Sequence, residues 1–247
     1  MQDKRPDADV LPLEGHVFAV RSRIPRISRR QLTLGQHVAD LEAVAGADFV
    51  FSAMRVGGLA GRVCDERSAL DLGVLGQETT GAGGVCYGLR TIPVALRLAE
   101  VVRRAAPEAY VINFTNPAGM VTEAMSAVLG RRVIGICDSP VGLFKRVARV
   151  LGLPRESITF DYAGLNHLGW LHRAVVDGHD VLPDVLSRPD RLRQIEEGRL
   201  FGPEWLATLG TVPNEYLWYW YYTADALAAI TEAGTTRGEY LLDQQER

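Results

Sequence analysis

The chain has 247 residues, of which 47% are hydrophobic and 23% are charged, and its formal net charge is -3. This length allows one large core or two modest ones, and the composition is typical of a globular protein. Without an excess of basic residues, nucleic acid is a poor candidate partner. The apolar runs are too short to span a membrane, and no secretory apolar region follows Met1.

The cysteines indicate a reducing compartment. Cys64, Cys86 and Cys137 are odd in number and widely spaced, so they do not form a disulfide framework. We therefore expect a cytoplasmic protein.

Residues 1–31 carry weak structural signals, and the pattern becomes clearer from Leu34 onward. Residues 16–20 are predicted to form one short strand, and a basic stretch interrupted by prolines follows. A short helix is predicted at residues 36–45 and a buried strand at residues 48–54. No phosphate-binding glycine fingerprint occurs in residues 1–50.

Glycine dominates the next segment. Residues 54–67, MRVGGLAGRVCDER, are predicted to form a loop, and residues 68–73 a helical turn. A second glycine-rich loop, QETTGAGG, is predicted at residues 77–84; it is not a G-x-G-x-x-G sequence and is weak evidence for a phosphate site. An amphipathic helix follows at residues 91–105, with Pro93 in its first turn, where a missing N–H costs little.

Two strand–turn–helix units come next. Strands are predicted at residues 109–114 and 132–137, and helices at 118–129 and 141–151, with Ser139 as a plausible N-cap. Units of this length imply a parallel α/β sheet. We predict an α/β fold in which residues 1–152 form a Rossmann-like dinucleotide-binding domain, incomplete in the N-terminal half of its parallel sheet.

The remaining residues predict a different layout. A strand at residues 158–163 precedes a hairpin at 168–181, whose Asp-Gly turn lies at residues 177–178. Helices are predicted at residues 190–200 and 214–232, and a further helical pattern runs up to residue 247. Residues 153–247 are therefore predicted to form a partial α+β substrate domain that also contributes to a metal site.

Polar side chains follow three predicted strands, at residues 54–55, 115–116 and 137–138. In open α/β sheets, ligands bind beyond the carboxyl ends of the strands, so a site is expected there. Cys137 with His167 could bind a divalent metal or form a nucleophilic pair. The alternative is a buried thiol and a core histidine.

Other polar residues also allow two interpretations. Asn116 suits either a turn or a ligand contact, and Asp138 either a helix cap or a general acid. Arg62 and Arg237 could equally be solvated surface charges. Tyr216 lies in an aromatic run that usually indicates core packing, and it could act as a base only beside a metal or another cation.

Taken together, these segments resemble the NAD- and metal-dependent glycosidases of glycoside hydrolase family 4, the 6-phospho-glycosidases and their relatives. The resemblance extends over about residues 47–247. The matching runs, in family order, are DFVFSAMRVGGLAGRVCDE, LGQETTGAGG, LRTIPV, VINFTNPAG, VIGICDSP, GLNHLGW and PNEYLWYWYY. This group is an exception to glycoside hydrolysis by two carboxylates.

The resemblance implies a role for each matching residue. Cys137 of ICDSP and His167 of GLNHL match the metal ligands, usually of manganese. Tyr216 of PNEYL matches the catalytic base. Asp138 matches a position that donates a proton in some members and is not acidic in others.

The resemblance also implies substrate contacts. Asn116 of FTNP, Arg62 of GLAGRVCDE and Arg237 of TTRGEY match residues that contact the phosphorylated sugar. The substrate would be a 6-phospho-glucoside or phosphorylated disaccharide, with the β anomer favoured by the RVGGLAGR loop. Family members suggest a homo-oligomer.

The implied reaction is hydrolysis of an O-glycosidic bond by oxidation, elimination, addition and reduction. It requires NAD to accept and return a hydride at C3, and Mn2+ or another divalent metal to polarise the oxygens on C2 and C3. Tyr216 would remove the proton from C2.

Family members begin with a strand and a glycine-rich turn that seat the NAD pyrophosphate, and they continue past the tyrosine segment. This sequence recognisably has neither that strand and turn nor the second strand that reads the ribose, and it ends at Arg247, so we expect impaired NAD binding and assign no NAD-binding residue. Two alternatives follow. One is an NAD oxidoreductase of the malate/lactate dehydrogenase class, and the other is an inactive, truncated remnant that binds a metal or a sugar phosphate.

Overall fold

The computed structural model describes residues 13–20, 30–33 and 44–246. The elements through the middle of the chain are β1 (Leu13–Val20), β2 (Arg30–Thr33), β3 (Phe49–Val56), α1 (Gly58–Leu70), α2 (Gly81–Ala105), β4 (Tyr110–Asn113), α3 (Ala118–Leu129), β5 (Val133–Gly135) and α4 (Ser139–Leu151). Next come β6 (Thr159–Leu165), β7 (Leu168–Val176), β8 (His179–Asp180), α5 (Leu182–Leu186), α6 (Pro189–Leu192), α7 (Glu196–Phe201), α8 (Pro203–Leu209) and β9 (Val212–Pro213). The last are a 3-10 turn (Glu215–Leu217), α9 (Trp218–Tyr221), α10 (Thr223–Ala233) and α11 (Arg237–Glu246).

The described chain divides into two units. The first comprises Met1–Ile136 with Ile230–Arg247, and the second comprises Cys137–Ala229. The predicted division after residue 152 therefore differs from this one. The reason is that α4 packs its buried Leu143 and Val147 into the core of the second unit.

The first unit contains a five-stranded sheet in the order β2-β1-β3-β4-β5. Strands β3, β4 and β5 are parallel, with Val50 opposite Val111 and Val111 opposite Val133. This arrangement confirms the predicted Rossmann-like α/β fold. Strand β1 runs antiparallel to both β3 and β2. The predicted strand at residues 16–20 is thus confirmed within β1, whereas most of the predicted helix at 36–45 lies outside the described residues.

One face of this sheet carries the core of the first unit. Along β3, Val50 and Met54 are buried, while the alternate residues Phe49 and Phe51 are exposed. Helices α2 and α3 supply the opposing apolar side chains, which include Leu98, Val102, Val121 and Met125. The strictly alternating burial follows from the two-residue period of a strand.

Three predictions in the glycine-rich segment are wrong. Residues 58–70 form helix α1 rather than a loop, and α2 begins at Gly81 within the second predicted loop. Pro93 therefore lies inside a 25-residue helix instead of in its first turn. The glycines serve close packing: a Cβ at Gly83 would lie 2.6 Å from the Gln77 carbonyl oxygen, and one at Gly88 would lie 2.7 Å from Met120 Cε.

The second unit is built on an antiparallel sheet in which β7 pairs with β6, β8 and β9. Its core includes Leu143, Leu171, Leu182, Leu206 and Leu217. The predicted hairpin is confirmed, because Asp177 and Gly178 at its turn both have positive φ values, 49° and 82°. Positive φ at both central residues is what a type I′ turn requires.

The two helices predicted in this unit are interrupted. Residues 190–200 divide between α6 and α7, and the chain is so compact there that a Cβ at Gly198 would lie 1.9 Å from the Leu192 carbonyl oxygen. Residues 214–232 begin as a 3-10 turn and break again at Tyr222, whose φ is -124° and ψ is 43°. In the part of the chain that the structure describes, no helix has the length and apolar character needed to cross a membrane.

Candidate active site

The end of β4 is held by a network of short polar side chains. The backbone N–H of Thr115 donates to Asn113 Oδ1 at 3.1 Å. Thr115 Oγ1 accepts from the Met54 N–H at 2.9 Å and lies 3.1 Å from Ser52 Oγ. Ser52, Asn113 and Thr115 are all buried, so these hydrogen bonds fix the turn that carries Asn116.

Asn116 lies beside a cavity of the first unit. The cavity has a volume of about 370 Å³ and is also lined by Met54, Arg55, Tyr87 and Phe114. The Tyr87 hydroxyl donates to the Met54 carbonyl oxygen at 3.2 Å. Burial raises the pKa of Tyr87 to about 12, although the nearby Arg55 opposes the rise. Tyr87 is therefore a neutral hydrogen-bond donor near pH 7.

Arg62 is buried in an ion-pair cluster of the first unit. Its Nε donates to Glu66 Oε1 at 2.7 Å, and its Nη1 lies 3.1 Å from Glu78 Oε2. Glu78 also pairs with Arg55. Arg62 is thus not a solvated surface charge, and Glu78 anchors the QETT segment through a carboxylate.

Arg237 is exposed at the start of α11, with its guanidinium carbon 4.9 Å from the centre of the Tyr240 ring. The next residue connects this helix to the cluster around Arg62, because the Gly238 N–H donates to Glu66 Oε2 at 2.8 Å. Arg67 of α1 adds two hydrogen bonds to the Glu239 carboxylate, at 2.7 and 2.6 Å. The structure therefore brings the segment around Arg237 against α1.

In the second unit, Cys137 and His167 are in contact. Cys137 Sγ lies 3.3 Å from His167 Nε2, and the contact is partly buried. His167 occupies the two-residue turn between β6 and β7, in which Leu165 pairs with Leu168. Its φ is 60°, a left-handed conformation that costs a residue other than glycine about 1 to 3 kcal/mol.

Tyr216 joins this pair by stacking on His167. The two ring centroids are 3.6 Å apart and the ring planes differ by 2°. Pairing of β9 with β7 brings the 3-10 turn that carries Tyr216 to the hairpin. The Tyr216 N–H then donates to Asn214 Oδ1 at 3.0 Å. Sequence positions 137, 167 and 216 are thus gathered at one place within the second unit.

Asp138 occupies the N-cap position of α4. Its carbonyl oxygen accepts from the Gly142 N–H at 2.8 Å, but its side chain makes no capping hydrogen bond. Ser139 is the first helical residue, so its prediction as the N-cap is wrong. The Asp138 carboxylate therefore does not act as the side-chain cap of this helix.

Comparison with known proteins identifies the family. Residues 17–153 match the model for Family 4 glycosyl hydrolase, and residues 162–247 match the model for the C-terminal domain of the same family. The chain belongs to glycosyl hydrolase family 4. The resemblance that the motifs indicate is thereby confirmed.

Relatives in family 4 are named as phospho-glucosidases. A probable 6-phospho-beta-glucosidase of Bacillus subtilis (strain 168) is 38% identical over 203 residues, which make up 80% of this chain and 46% of that protein. The 6-phospho-beta-glucosidase of Escherichia coli (strain K12) is 38% identical over 195 residues, which make up 76% and 43% of the two chains. The chain therefore spans about half the length of these curated relatives.

Solved structures of family 4 share the fold. The 6-phospho-beta glucosidase from Thermotoga maritima, solved with manganese, NAD+ and glucose-6-phosphate, has a TM-score of 0.75 and 30% identity. A 6-phospho-alpha-glucosidase from gut microorganisms, solved with NAD and Mn2+, has a TM-score of 0.72 and 30% identity. Each match covers 83% of this chain and 50% of the other.

The Cys137–His167 pair fits a divalent metal. Bonds of about 2.3 Å to sulfur and about 2.1 Å to nitrogen place the two donor atoms roughly 3.1 Å apart at a right angle and roughly 3.6 Å apart at the tetrahedral angle. The observed 3.3 Å lies between these values. Among residues 13–20, 30–33 and 44–246, no group of three or more His, Cys, Asp or Glu side chains could hold a metal ion. A metal bound by this pair would keep positions open for other ligands, as catalytic metals do.

On the β1 side of β3, the described residues do not form a parallel strand–helix unit that could seat an NAD pyrophosphate. In dinucleotide-binding sheets, the pyrophosphate lies at the helix that follows the first parallel strand. Here the strand beside β3 on that side is β1, which is antiparallel, so its carboxyl end lies at the opposite edge of the sheet. We assign no NAD-binding residue.

Several buried charged residues of both units were not predicted. In the first unit, Arg90 donates two hydrogen bonds to the Asp65 carboxylate and one to the Val56 carbonyl oxygen. In the second unit, Arg146 pairs with Glu197, whose side chain is fully buried. The sequence signal that could reveal such a residue is a charge on the apolar side of a predicted helix. Asp65 could not be recognised in this way, because residues 54–67 were predicted to form a loop.

Proposed function

We propose that the chain hydrolyses O-glycosidic bonds of 6-phospho-glucosides, with β-glucosides preferred. The contact of Cys137 with His167, with Tyr216 stacked on the imidazole, is the observation that carries this proposal. A thiol, an imidazole and a phenol gathered in one place combine metal-binding and proton-transfer chemistry. Relatives are named 6-phospho-beta-glucosidase and 6-phospho-alpha-glucosidase, and these names support 6-phospho-glucosides as the substrate class.

Cys137 and His167 would hold Mn2+ or another divalent metal, which supplies Lewis-acid chemistry to sugar oxygens when bound. Tyr216 would remove the proton from C2 of the sugar as the general base. Because its ring lies 3.6 Å from the His167 ring, a cation held at that imidazole would favour the tyrosinate. Asp138, whose side chain does not cap α4, would donate a proton to the leaving group.

Asn116, Arg62 and Arg237 would bind the sugar phosphate. Asn116 lines the cavity of the first unit, where its amide can hydrogen-bond to hydroxyl groups. The exposed guanidinium of Arg237 suits a phosphate group. Arg62 is held rigidly by Glu66 and Glu78, which would fix its remaining donors in direction.

The test is turnover of a chromogenic 6-phospho-β-glucoside by the 247-residue chain with NAD and Mn2+. We expect activity that Cys137→Ser abolishes and Cys86→Ser, at an exposed cysteine, leaves unchanged. The 6-phospho-α-glucoside serves as the anomeric comparison. Turnover unaffected by Cys137→Ser would disprove the metal assignment, and binding of metal without turnover would favour the inactive-remnant alternative.

We further propose that this chain binds NAD weakly. The antiparallel β1 beside β3 supports this, since it offers no helix to a pyrophosphate. Calorimetric titration of NAD into the chain is expected to give little heat, and tight binding would overturn the proposal.

A cytoplasmic location is proposed from the cysteines, since Cys64, Cys86 and Cys137 are all free thiols. A homo-oligomer also remains a proposal, which sedimentation of the chain would test.

A further inference from the structure

Three buried polar atoms of the second unit lack a hydrogen bond of standard geometry. They are Tyr162 Oη, Asn214 Nδ2 and Glu215 Oε2, three of the five such side-chain atoms found in the described part of the chain, and of the three Glu215 Oε2 has an ion-pair partner, Arg146 Nη2 at 3.6 Å. Buried polar groups are costly unless they are paired, directly or through water. Their grouping therefore needs a reason.

The Tyr162 hydroxyl is the centre of this group. Burial raises its pKa, the neighbouring Asn214 amide opposes the rise, and the Glu215 carboxylate and the Cys137 thiol add to it. The electrostatic surroundings of the Tyr162 hydroxyl thus include Asn214 and Glu215, which precede Tyr216, and the candidate metal ligand Cys137. It lies on β6, the strand that leads into the hairpin turn at His167.

Gly169 explains how Tyr162 reaches this position. A Cβ at residue 169 would lie 2.5 Å from Tyr162 Oη and 2.7 Å from its Cζ, so only glycine leaves room for the phenol. The Gly169 carbonyl oxygen also accepts from the Asn214 N–H at 2.9 Å. One glycine, two residues after His167, therefore serves both Tyr162 and Asn214.

Asn214 connects this group to Tyr216. Its side chain is fully buried, and Oδ1 accepts from the Tyr216 N–H at 3.0 Å. Its Nδ2 has no hydrogen bond of standard geometry, and its amide is the neighbour that lowers the pKa of Tyr162. We infer that Tyr162 and Asn214 form a positioning pair, bonded directly or through one water, that holds Tyr216 stacked on His167. This inference rests on the proposed role of Tyr216 as the base.

The variants that test the pair each remove one of its two polar ends. Tyr162→Phe deletes the hydroxyl and keeps the ring, which packs edge-on against Phe144 at 5.8 Å. Asn214→Ser keeps a short side-chain acceptor for a capping bond but removes the amide that interacts with Tyr162. Tyr222→Phe is the matched control, because it removes another partly buried hydroxyl of the same unit, bonded to the Phe201 carbonyl oxygen.

The main readout is the NMR signal of the His167 ring in histidine-labelled, metal-free protein, assigned by its loss in His167→Gln. The stacked Tyr216 ring shifts this signal upfield. We expect Tyr162→Phe and Asn214→Ser to lose that shift and Tyr222→Phe to keep it, with all three variants folded by thermal melting. If Tyr162→Phe does not fold, Asn214→Ser decides the outcome. A folded variant of either position that keeps the wild-type shift would overturn the inference.

Kinetics supply a second readout with the 6-phospho-β-glucoside. We expect kcat to fall about tenfold or more in both variants while KM stays within about twofold, because a displaced base slows chemistry without weakening binding. Equal kcat in Tyr162→Phe and Tyr222→Phe would contradict the positioning role. If no turnover is seen in the wild-type chain, the ring shift still tests the pair, so the two proposals fail separately.

Discussion

Among the described residues of the first unit, the ion-pair cluster contains as many arginines as carboxylates, whereas in the cluster of the second unit a single arginine faces three carboxylates. The balanced set is Arg55, Arg62 and Arg90 with Asp65, Glu66 and Glu78. The unbalanced set is Arg146 with Glu196, Glu197 and Glu215. A balanced cluster neutralises itself and serves as a rigid support. The excess negative charge of the other cluster accompanies the residues suited to hold a cation, Cys137 and His167.

The largest effect on stability is expected from Arg146→Met. It would leave Glu197, whose side chain is 0% exposed, as an uncompensated buried charge. Breaking a buried pair in this way costs about 3 to 5 kcal/mol of unfolding free energy, measured by urea denaturation. The double variant Arg146→Met/Glu197→Gln is expected to recover much of that loss. No recovery would mean that packing, rather than charge, makes Arg146 important.

Arg90→Met tests the balanced cluster in the same way. Its side chain is 18% exposed and that of Asp65 is 7% exposed, so solvent screens this pair more than the one at Glu197. We expect a loss of about 2 to 3 kcal/mol, partly from the hydrogen bond to the Val56 carbonyl oxygen. Arg103→Met, which breaks an exposed pair with Glu100, is the control and should cost less than about 1 kcal/mol. Equal losses of unfolding free energy in Arg90→Met and Arg103→Met would show that the Arg90–Asp65 pair stabilises the fold no more than an exposed pair does.

The smallest effect concerns the pH dependence of the contact between α1 and α11. The hydrogen bond from Arg67 lowers the pKa of Glu239 below its usual value. A carboxylate with a lowered folded-state pKa contributes stability above its unfolded pKa, and that stability is lost as the pH falls through the folded pKa. The unfolding free energy should therefore decline between about pH 6 and about pH 3, and less steeply in Glu239→Gln.

Glu100→Gln, at the exposed pair on α2, provides the comparison for that pH series. Its pH profile is expected to follow that of the wild-type chain. If Glu239→Gln gives the same profile as Glu100→Gln, the Arg67–Glu239 pair contributes nothing measurable to folding.

Sequence patterns predicted the parts of the fold that depend on local chemistry. The helix at 118–129 and the Asp-Gly hairpin follow from periodicity and turn residues that the structure retains. The failures occurred where glycine serves tertiary packing instead of flexibility. Residues 83 and 88 lie inside α2 and are glycines because neighbouring atoms leave no room for a Cβ. A local sequence pattern does not show such tertiary contacts.

For the site as well, the sequence predicted some residues, whereas others depend on tertiary contacts. Cys137 and His167 are 30 residues apart, which is not a recognised spacing of metal ligands. The family resemblance paired them, and the structure shows their contact. Tyr162 could not be predicted from sequence, because its role depends on tertiary contacts. Pairing of β6 with β7 brings it to Gly169, and pairing of β9 with β7 brings Asn214 to the same place. Arg62 was predicted as a substrate contact, but its burial between two carboxylates required the fold.

Titration with Co2+ tests most directly whether the second unit holds a metal through Cys137 and His167. A thiolate bound to Co2+ gives an intense near-ultraviolet charge-transfer band, so the spectrum reports the sulfur ligand itself. We predict a saturable band with one ion per chain that Cys137→Ser removes, His167→Gln weakens and Cys86→Ser leaves unchanged. A band of equal intensity in Cys137→Ser, or no band in the wild-type chain, would contradict the metal site.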